Sequence, residues 1–143
     1  MTSTRYTTAN EEETIELGRV LAARWPRPCI VLLIGNLGAG KTTLAKGIAE
    51  GLGSARADDV SSPTFPLIHE YGEEGDLYHI DLYRLDTMEE VETLGLEEIF
   101  SRRAVVLLEW AERFPALLPA ERIEIRIEAI EEETRVLTVT ELP

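Results

Sequence analysis

A glycine-rich stretch in the first third of the chain has the spacing of a phosphate-binding loop. Residues 34–47 are IGNLGAGKTTLAKG, which contains Gly-x-x-x-x-Gly-Lys-Thr. Glycine lets the backbone turn its N–H groups toward phosphate oxygens. The Lys41 ammonium can bind the β- and γ-phosphates, and the Thr42 hydroxyl can bind Mg²⁺. The motif predicts a nucleotide-binding loop made of Gly35, Asn36, Leu37, Gly38, Ala39, Gly40, Lys41, Thr42 and Thr43.

Two carboxylates each follow an apolar run and are candidates for the magnesium shell. Asp81 lies in LYHIDLYR (77–84), and Glu109 lies in VVLLEW (105–110). A phosphate-loop nucleotidase needs such an acid at the end of a neighbouring strand. The alternative for each is a salt bridge with an arginine such as Arg84, because an unpaired buried carboxylate costs several kcal/mol. Both are predicted catalytic and metal-binding residues, and the sequence leaves their division of labour open.

Three further side chains, and the exposure of Lys41, bear on the candidate site. Thr64, in Ser-Ser-Pro-Thr, could sense the γ-phosphate as switch threonines do, or could belong to an ordinary loop. Trp110 could stack on a ligand or fill the core. We expect His79, inside an apolar strand, to be packed and hydrogen-bonded rather than an acid–base catalyst. Lys41 itself is expected to be solvated in the absence of nucleotide.

The elements that must position these residues follow from periodicity. Capping signals at Thr8 and Asn10 precede a helix over about 10–24. Continuous apolar runs predict buried strands, and strict alternation over 122–130 predicts a half-exposed one. The predicted class is α/β: a P-loop NTPase-like three-layer fold with a largely parallel central sheet and a C-terminal antiparallel hairpin. The remaining predicted elements are strands 29–34, 64–71, 77–82, 104–108 and 136–140, and helices 41–52, 87–93 and 96–100.

Composition limits the classes of function. At 143 residues, one domain spanning 1–143 is expected. The net charge of −13 argues against independent DNA or tRNA binding. No apolar run approaches the roughly 20 residues that span a bilayer, and no signal peptide is evident, so we expect a cytoplasmic protein without membrane contact. The single cysteine, Cys29, is expected to be a buried, unreactive thiol.

The nucleotide is predicted to be ATP. Guanine-specific switches use an Asn-Lys-x-Asp motif, and this chain has lysine only at positions 41 and 46, so it cannot contain that motif.

Four segments together resemble one family. GNLGAGKTT, SSPTF, HIDLYR and LLEWAE, in that order and at this length, are similar to the TsaE family, formerly YjeE. That family is the small ATPase subunit of the bacterial machinery that makes threonylcarbamoyladenosine in tRNA. The resemblance implies ATP and Mg²⁺ as cofactors, weak ATPase activity, and TsaB and TsaD proteins as partners. Contact with tRNA would be only indirect, through those partners.

The resemblance also assigns roles to residues. It implies phosphate binding by 35–43, a magnesium hydroxyl on Thr42, a switch threonine at Thr64, and metal or water contacts by Asp81 and Glu109. Trp110 would lie near the nucleotide, and Thr8, or its neighbour Thr7, near the base. Pro66 departs from the family pattern, where many relatives carry a hydroxyl residue, and is expected to alter edge pairing of the strand rather than activity.

Two other functions are compatible with a phosphate loop. A small-molecule kinase usually carries an arginine-rich lid, and the one adjacent arginine pair, at 102–103, is too short to make that case. A regulatory module could bind ATP without hydrolysing it. Phosphate release without an added acceptor separates the ATPase from both.

Overall fold

Seven strands form one mixed sheet in the part of the chain that the structure describes. The computed structural model describes residues 1–36, 38–56, 60, 67–72 and 76–143. Across the sheet the strand order is β1-β7-β6-β2-β5-β4-β3. The strands are β1 (Thr2–Thr8), β2 (Cys29–Ile34), β3 (Ile68–Tyr71), β4 (Leu77–Asp81), β5 (Val105–Glu109), β6 (Arg122–Ala129) and β7 (Arg135–Leu142).

The sheet confirms the predicted α/β class but is less parallel than predicted. Among the described strands, the pairings β6–β2, β2–β5 and β5–β4 are parallel. The other three, β1–β7, β7–β6 and β4–β3, are antiparallel. The C-terminal hairpin is confirmed, and its antiparallel pairing continues into a strand that periodicity did not predict. The expectation of a largely parallel sheet is therefore confirmed only in part: among the described strands, parallel pairing is confined to the four consecutive strands β6, β2, β5 and β4.

The missed strand is β1, at one edge of the sheet. Its residues TSTRYTT are exposed except at Tyr6 and Thr8, so no apolar alternation marks the strand. Its register is set by β7, from Thr2 opposite Glu141 to Thr8 opposite Arg135. Backbone pairing across the chain, rather than local sequence, makes this segment extended.

Helices cover both faces of the sheet, as the predicted three layers require. On one face, α1 (Glu11–Ala22) and α2 (Lys41–Leu52) share a core with Val31 and Leu33 of β2. On the other face, α3 (Met88–Glu92) and α4 (Leu96–Phe100) share a core with Ile30 and Leu32. Since successive residues of a strand point to opposite faces, a strand covered on both sides must be apolar throughout, as β2 is.

Two short 3₁₀ turns, Ala111–Arg113 and Pro115–Leu117, connect β5 to β6. No helix in the described ranges is long and apolar enough to cross a membrane.

Helices α1 and α2 pack backbone against backbone. Of the two capping candidates, Asn10 begins α1, and its side chain accepts a hydrogen bond from the Glu13 N–H at 2.9 Å. At the crossing, a Cβ added to Gly47 would lie 1.9 Å from the Ile15 carbonyl oxygen. A Cβ on Gly18 would lie 2.7 Å from the Leu44 oxygen. Glycine is required here because the two backbones approach too closely for any side chain.

The parallel centre of the sheet creates the candidate site. In parallel strands the carboxyl ends meet at one edge, which is where ligands bind in α/β folds. The loop before α2 follows β2 at this edge, and Asp81 and Glu109 are the last residues of β4 and β5. The predicted strand 104–108 is in fact Val105–Glu109, so Glu109 belongs to the strand and is held by its ladder.

Candidate functional site

A cleft of about 460 Å³ opens at the carboxyl edge of the sheet. It combines the start of α2 with the ends of β4 and β5 and with residues of α1 and the β6–β7 hairpin. Of the residues predicted from sequence, it brings together Lys41, Thr42, Thr43, Asp81, Glu109 and Trp110, and it also reaches Gly38 and Gly40. Its remaining lining residues are Glu11, Thr14, Tyr83, Arg84, Glu133 and Arg135.

The loop before α2 has the backbone expected of a phosphate cradle. Gly38 and Gly40 have φ of 80° and 109°, values that side-chain-bearing residues rarely adopt. Gly40 is the N-cap of α2 and makes no side-chain capping bond. The first N–H groups of α2 have no acceptor within the helix, and Gly40 has no side chain to cap them, so the start of α2 at the cleft is the positive end of the helix dipole. Such a helix start favours an anion. Leu37 lies outside the described residues.

Lys41 is buried, contrary to the expectation that it would be solvated. Its side chain is 6% exposed, and Nζ lies 3.6 Å from Glu109 Oε1. The same ammonium lies 4.0 Å from the centroid of the Trp110 ring. This ion pair and cation–π contact offset the cost of removing the charge from water. No described group accepts a hydrogen bond from Nζ, so the three ammonium donors remain available for an anionic ligand.

The two candidate carboxylates are neighbours. Asp81 and Glu109 are opposite each other in the parallel β4–β5 register, and they are 6% and 3% exposed. Burial raises the pKa of Asp81, and the nearby Glu109 charge adds to this, while the hydrogen bond from the Tyr83 N–H, at 2.8 Å, acts against it. In the described part of the chain neither carboxylate forms an ion pair with Arg84. The alternative raised from the sequence, a salt bridge to Arg84, therefore does not explain their burial.

His79 lies beneath these carboxylates, and the expectation for it is confirmed. It is 0% exposed, and its Nε2 is hydrogen-bonded to Glu109 Oε2. Glu109 is therefore contacted on one oxygen by His79 and on the other by Lys41. The sequence indicated a packed histidine but not its partner, because β4 and β5 are distant in the chain.

The donor set fits magnesium bound together with phosphate. Among the described residues no group of three or more His, Cys, Asp or Glu side chains could hold a metal alone. Mg²⁺ usually takes one or two carboxylates, waters and substrate phosphates rather than an all-protein cage. The Thr42 hydroxyl, Asp81 and Glu109 line one cleft and supply oxygen ligands of this kind.

Trp110 and Tyr83 form one wall of the cleft. Their ring centroids are 5.0 Å apart at an interplanar angle of 54°. Trp110 has a φ of 65°, a left-handed conformation that is unusual for a bulky residue and often accompanies functional sites. Trp110 is thus neither a simple core residue nor an isolated stacking platform: it covers Lys41 on one side and contacts Tyr83, which is 48% exposed.

Thr8, which was predicted to lie near the base, does not itself line the cleft. Thr8 is 4% exposed, and its hydroxyl is hydrogen-bonded to that of Thr14 at 2.6 Å. Thr14 lines the cleft, whereas Thr8 lies behind it, and Thr7 is exposed. Thr64 and Pro66 lie outside the described residues, so the switch role of Thr64 and the edge effect of Pro66 stay predictions.

Arg135 is a site residue that the sequence did not reveal. Its Nε donates to the Ala39 carbonyl oxygen at 2.8 Å, and its Nη1 donates to the carbonyls of the β6–β7 turn. With the Ala39 oxygen held toward Arg135, the N–H of Gly40 points to the opposite side, because the two groups of a trans peptide are antiparallel. The only local signal is its place at the start of β7, directly after the turn EEET.

Comparison with models of known protein families identifies the family of this chain. A model described as "Threonylcarbamoyl adenosine biosynthesis protein TsaE" matches residues 8–137. The chain belongs to the TsaE family. The resemblance noted in the four sequence segments is confirmed, and the TsaE match includes every residue that lines the cleft.

Individual TsaE relatives cover most of the chain. The tRNA threonylcarbamoyladenosine biosynthesis protein TsaE of Bacillus subtilis is 43% identical over 141 residues, which is 98% of this chain and 87% of the relative. The protein of the same name from Treponema pallidum is 33% identical over 94% of this chain and 98% of its own. The crystal structure of Bacillus subtilis YdiB superposes with a TM-score of 0.80 and 36% identity, covering 99% of this chain and 87% of that one.

Proposed function

We propose that this chain is a Mg²⁺-dependent ATPase with a P-loop NTPase-like fold that acts in tRNA threonylcarbamoyladenosine biosynthesis. The observation that carries the proposal is the Lys41 ammonium. It is buried at the start of α2, makes no hydrogen bond to the described residues, and lies 3.6 Å from a carboxylate at the end of an adjacent strand. A charged amine in this position is available for a phosphate group and has little other reason to be buried.

Each residue of the cleft has a defined task in this proposal. The N–H groups from Gly35 to Thr43 and the Lys41 ammonium hold the phosphates, and Arg135 keeps the Ala39–Gly40 peptide oriented for that contact. Thr42, with Asp81, Glu109 or both, would hold Mg²⁺, and the metal would neutralise phosphate charge there. Lys41 moves from Glu109 to phosphate, and this leaves the Glu109 Oε1 oxygen available for the metal shell or the attacking water.

ATP is the proposed nucleotide, with its base near α1. Glu11 and Thr14 line the cleft on that side. Thr8 contributes by fixing the Thr14 hydroxyl, since the two hydroxyls are hydrogen-bonded. Trp110 stays near the nucleotide as the wall that covers Lys41.

The biological setting follows from the family. The Bacillus subtilis relative named tRNA threonylcarbamoyladenosine biosynthesis protein TsaE shares 43% identity with the chain. We propose TsaB and TsaD proteins as partners, with hydrolysis supporting the cycle of a TsaB–TsaD threonylcarbamoyl-transfer complex. A net charge of −13 disfavours direct binding to polyanionic tRNA, so the contact with tRNA runs through the partners.

A phosphate-release assay tests the proposal, using the chain alone and with a TsaB–TsaD pair. Lys41→Met should abolish release, whereas Lys46→Met should not. The two lysines are the only ones in the chain and both lie on α2, so the pair separates a local role from a general loss of positive charge. Release that requires an added small-molecule acceptor would indicate a kinase. Nucleotide binding without release, even with both partners, would indicate a sensor and refute the ATPase.

A further inference from the structure

His79 is buried in the α1–α2 face of the sheet, one pleat below the candidate metal site. Along β4, Leu77, His79 and Asp81 share that face, because they alternate with Tyr78 and Ile80 of the opposite core. The series runs from an apolar residue at depth to a carboxylate at the carboxyl edge. His79 is the intermediate member, and it is 0% exposed.

The Glu109 side chain bends back toward His79 instead of extending from the sheet edge. Glu109 is opposite Asp81 in the β4–β5 register, and Leu107 is opposite His79. Oε2 of Glu109 is nevertheless hydrogen-bonded to Nε2 of His79, which lies one pleat deeper, while Oε1 of Glu109 faces Lys41. The two oxygens of this carboxylate therefore have different tasks: Oε2 is fixed to the protein interior and Oε1 is directed into the cleft.

Among the described residues, Glu109 is the one hydrogen-bond partner of the His79 ring. The other ring nitrogen, Nδ1, has no hydrogen-bond partner among the described residues. A buried imidazole with one nitrogen unpaired costs free energy relative to an apolar side chain of similar size. Core packing alone would favour leucine at this position, so the benefit of histidine must lie in the group that Nε2 contacts.

We propose that His79 is a positioning residue that fixes the rotamer of Glu109 by donating its Nε2–H to Oε2, so that Oε1 is held ready for the magnesium shell or the attacking water. The inference rests on the proposed ATPase function and adds a residue to it. His79 does not touch phosphate or metal; it acts through Glu109. Groups of this type orient ligands, and their loss commonly costs on the order of 10- to 100-fold in metal affinity or activity.

A pair of amide substitutions isolates the hydrogen bond from packing. In His79→Gln, the side-chain nitrogen reaches the position of imidazole Nε2 and can still donate to Glu109. In His79→Asn, the nitrogen is at the position of Nδ1 and cannot reach it. His79→Leu keeps the volume and removes every donor. His69→Leu is the control: His69 is the other histidine, lies opposite His79 in the β3–β4 register, and contacts the Tyr71 hydroxyl.

We expect His79→Leu and His79→Asn to lower kcat by about 10- to 100-fold while KM for ATP changes less than about 3-fold. His79→Gln and His69→Leu should stay within about 3-fold of wild type in both constants. A second readout does not involve hydrolysis: Mg²⁺ titration with a non-hydrolysable ATP analogue, followed by Trp110 fluorescence in a Trp25→Phe background. The Mg²⁺ concentration at half-saturation should rise in the leucine and asparagine variants only.

Distinct results separate this inference from the proposed function. Two results would overturn the positioning role while leaving the ATPase intact. One is a folded His79→Asn variant with the kcat and magnesium dependence of wild type. The other is an equal loss of kcat in His79→Gln and His79→Asn. If His79→Leu does not fold, the glutamine–asparagine comparison still decides. A wild-type chain that releases no phosphate, alone or with TsaB and TsaD, would overturn both.

Discussion

Replacing Lys41 by methionine should destabilise the nucleotide-free protein as well as stop hydrolysis. The Lys41 and Glu109 charges are 3.6 Å apart and both buried. With an effective dielectric constant of about 20, their attraction is about 5 kcal/mol. Desolvation offsets part of this, and removing one member of a buried pair typically costs about 3–5 kcal/mol because the other charge is left unpaired. Since His79 still contacts Glu109, we expect a loss of about 3 kcal/mol, near the lower end.

Urea denaturation without nucleotide measures this loss of unfolding free energy, and a double-mutant cycle tests whether it comes from the Lys41–Glu109 ion pair. A loss of about 3 kcal/mol corresponds to a Tm about 10 °C lower for a chain of this size. Lys41→Met combined with Glu109→Gln removes both charges and should regain most of the lost stability. Lys46→Met, on the same helix, should change the free energy of unfolding by less than about 0.5 kcal/mol. A Lys41→Met protein as stable as wild type would refute the buried ion pair and restore the expectation of a solvated lysine.

Three further changes test other parts of the structure. Glu109→Ala should lower kcat by on the order of 100-fold while ATP affinity changes less than about 3-fold, because the carboxylate acts mainly as charge moves in the transition state. Equal losses in a turnover assay and an equilibrium binding assay would count against this role of Glu109. Gly47→Ala should lower the free energy of unfolding by about 3 kcal/mol, since the new Cβ would lie 1.9 Å from the α1 backbone. The cost of this clash exceeds the gain in helix propensity of about 1 kcal/mol. An unchanged denaturation midpoint would contradict the close contact. Burial raises the pKa of the Cys29 thiol to about 11. At pH 8 the folded protein should therefore react with iodoacetamide far more slowly than the urea-unfolded chain. Rapid labelling of the folded state would disprove the burial.

Local sequence accounts for the elements whose signal is contained in a few neighbouring residues. The apolar runs of β2 and β5 and the alternation of β6 predict strands because burial on two faces or one leaves a direct pattern. The Gly40-Lys41-Thr42 segment predicts the loop and the start of α2. In these cases the residues that carry the pattern also make the structure.

Long-range partners decide what the sequence could not. β1 is a strand because β7 pairs with it, and its own side chains are mostly exposed. Lys41 is buried because Glu109 and Trp110, almost 70 positions later, cover it. Arg135 reaches Ala39 across 96 positions. None of these contacts has a short-range pattern, so sequence identified the chemical groups of the site but not their burial or connections.

The glycine crossing of α1 and α2 also fixes how the two helix starts are spaced. Both helices begin at the cleft, α1 with Glu11 and Thr14, and α2 with Lys41 and Thr42. Because Gly47 and Gly18 bring the two backbones into direct contact, no side chain lies between the helices at the crossing that could change its rotamer and alter their separation. A side chain added there would push the two backbones apart, so residues outside the cleft help to set its geometry.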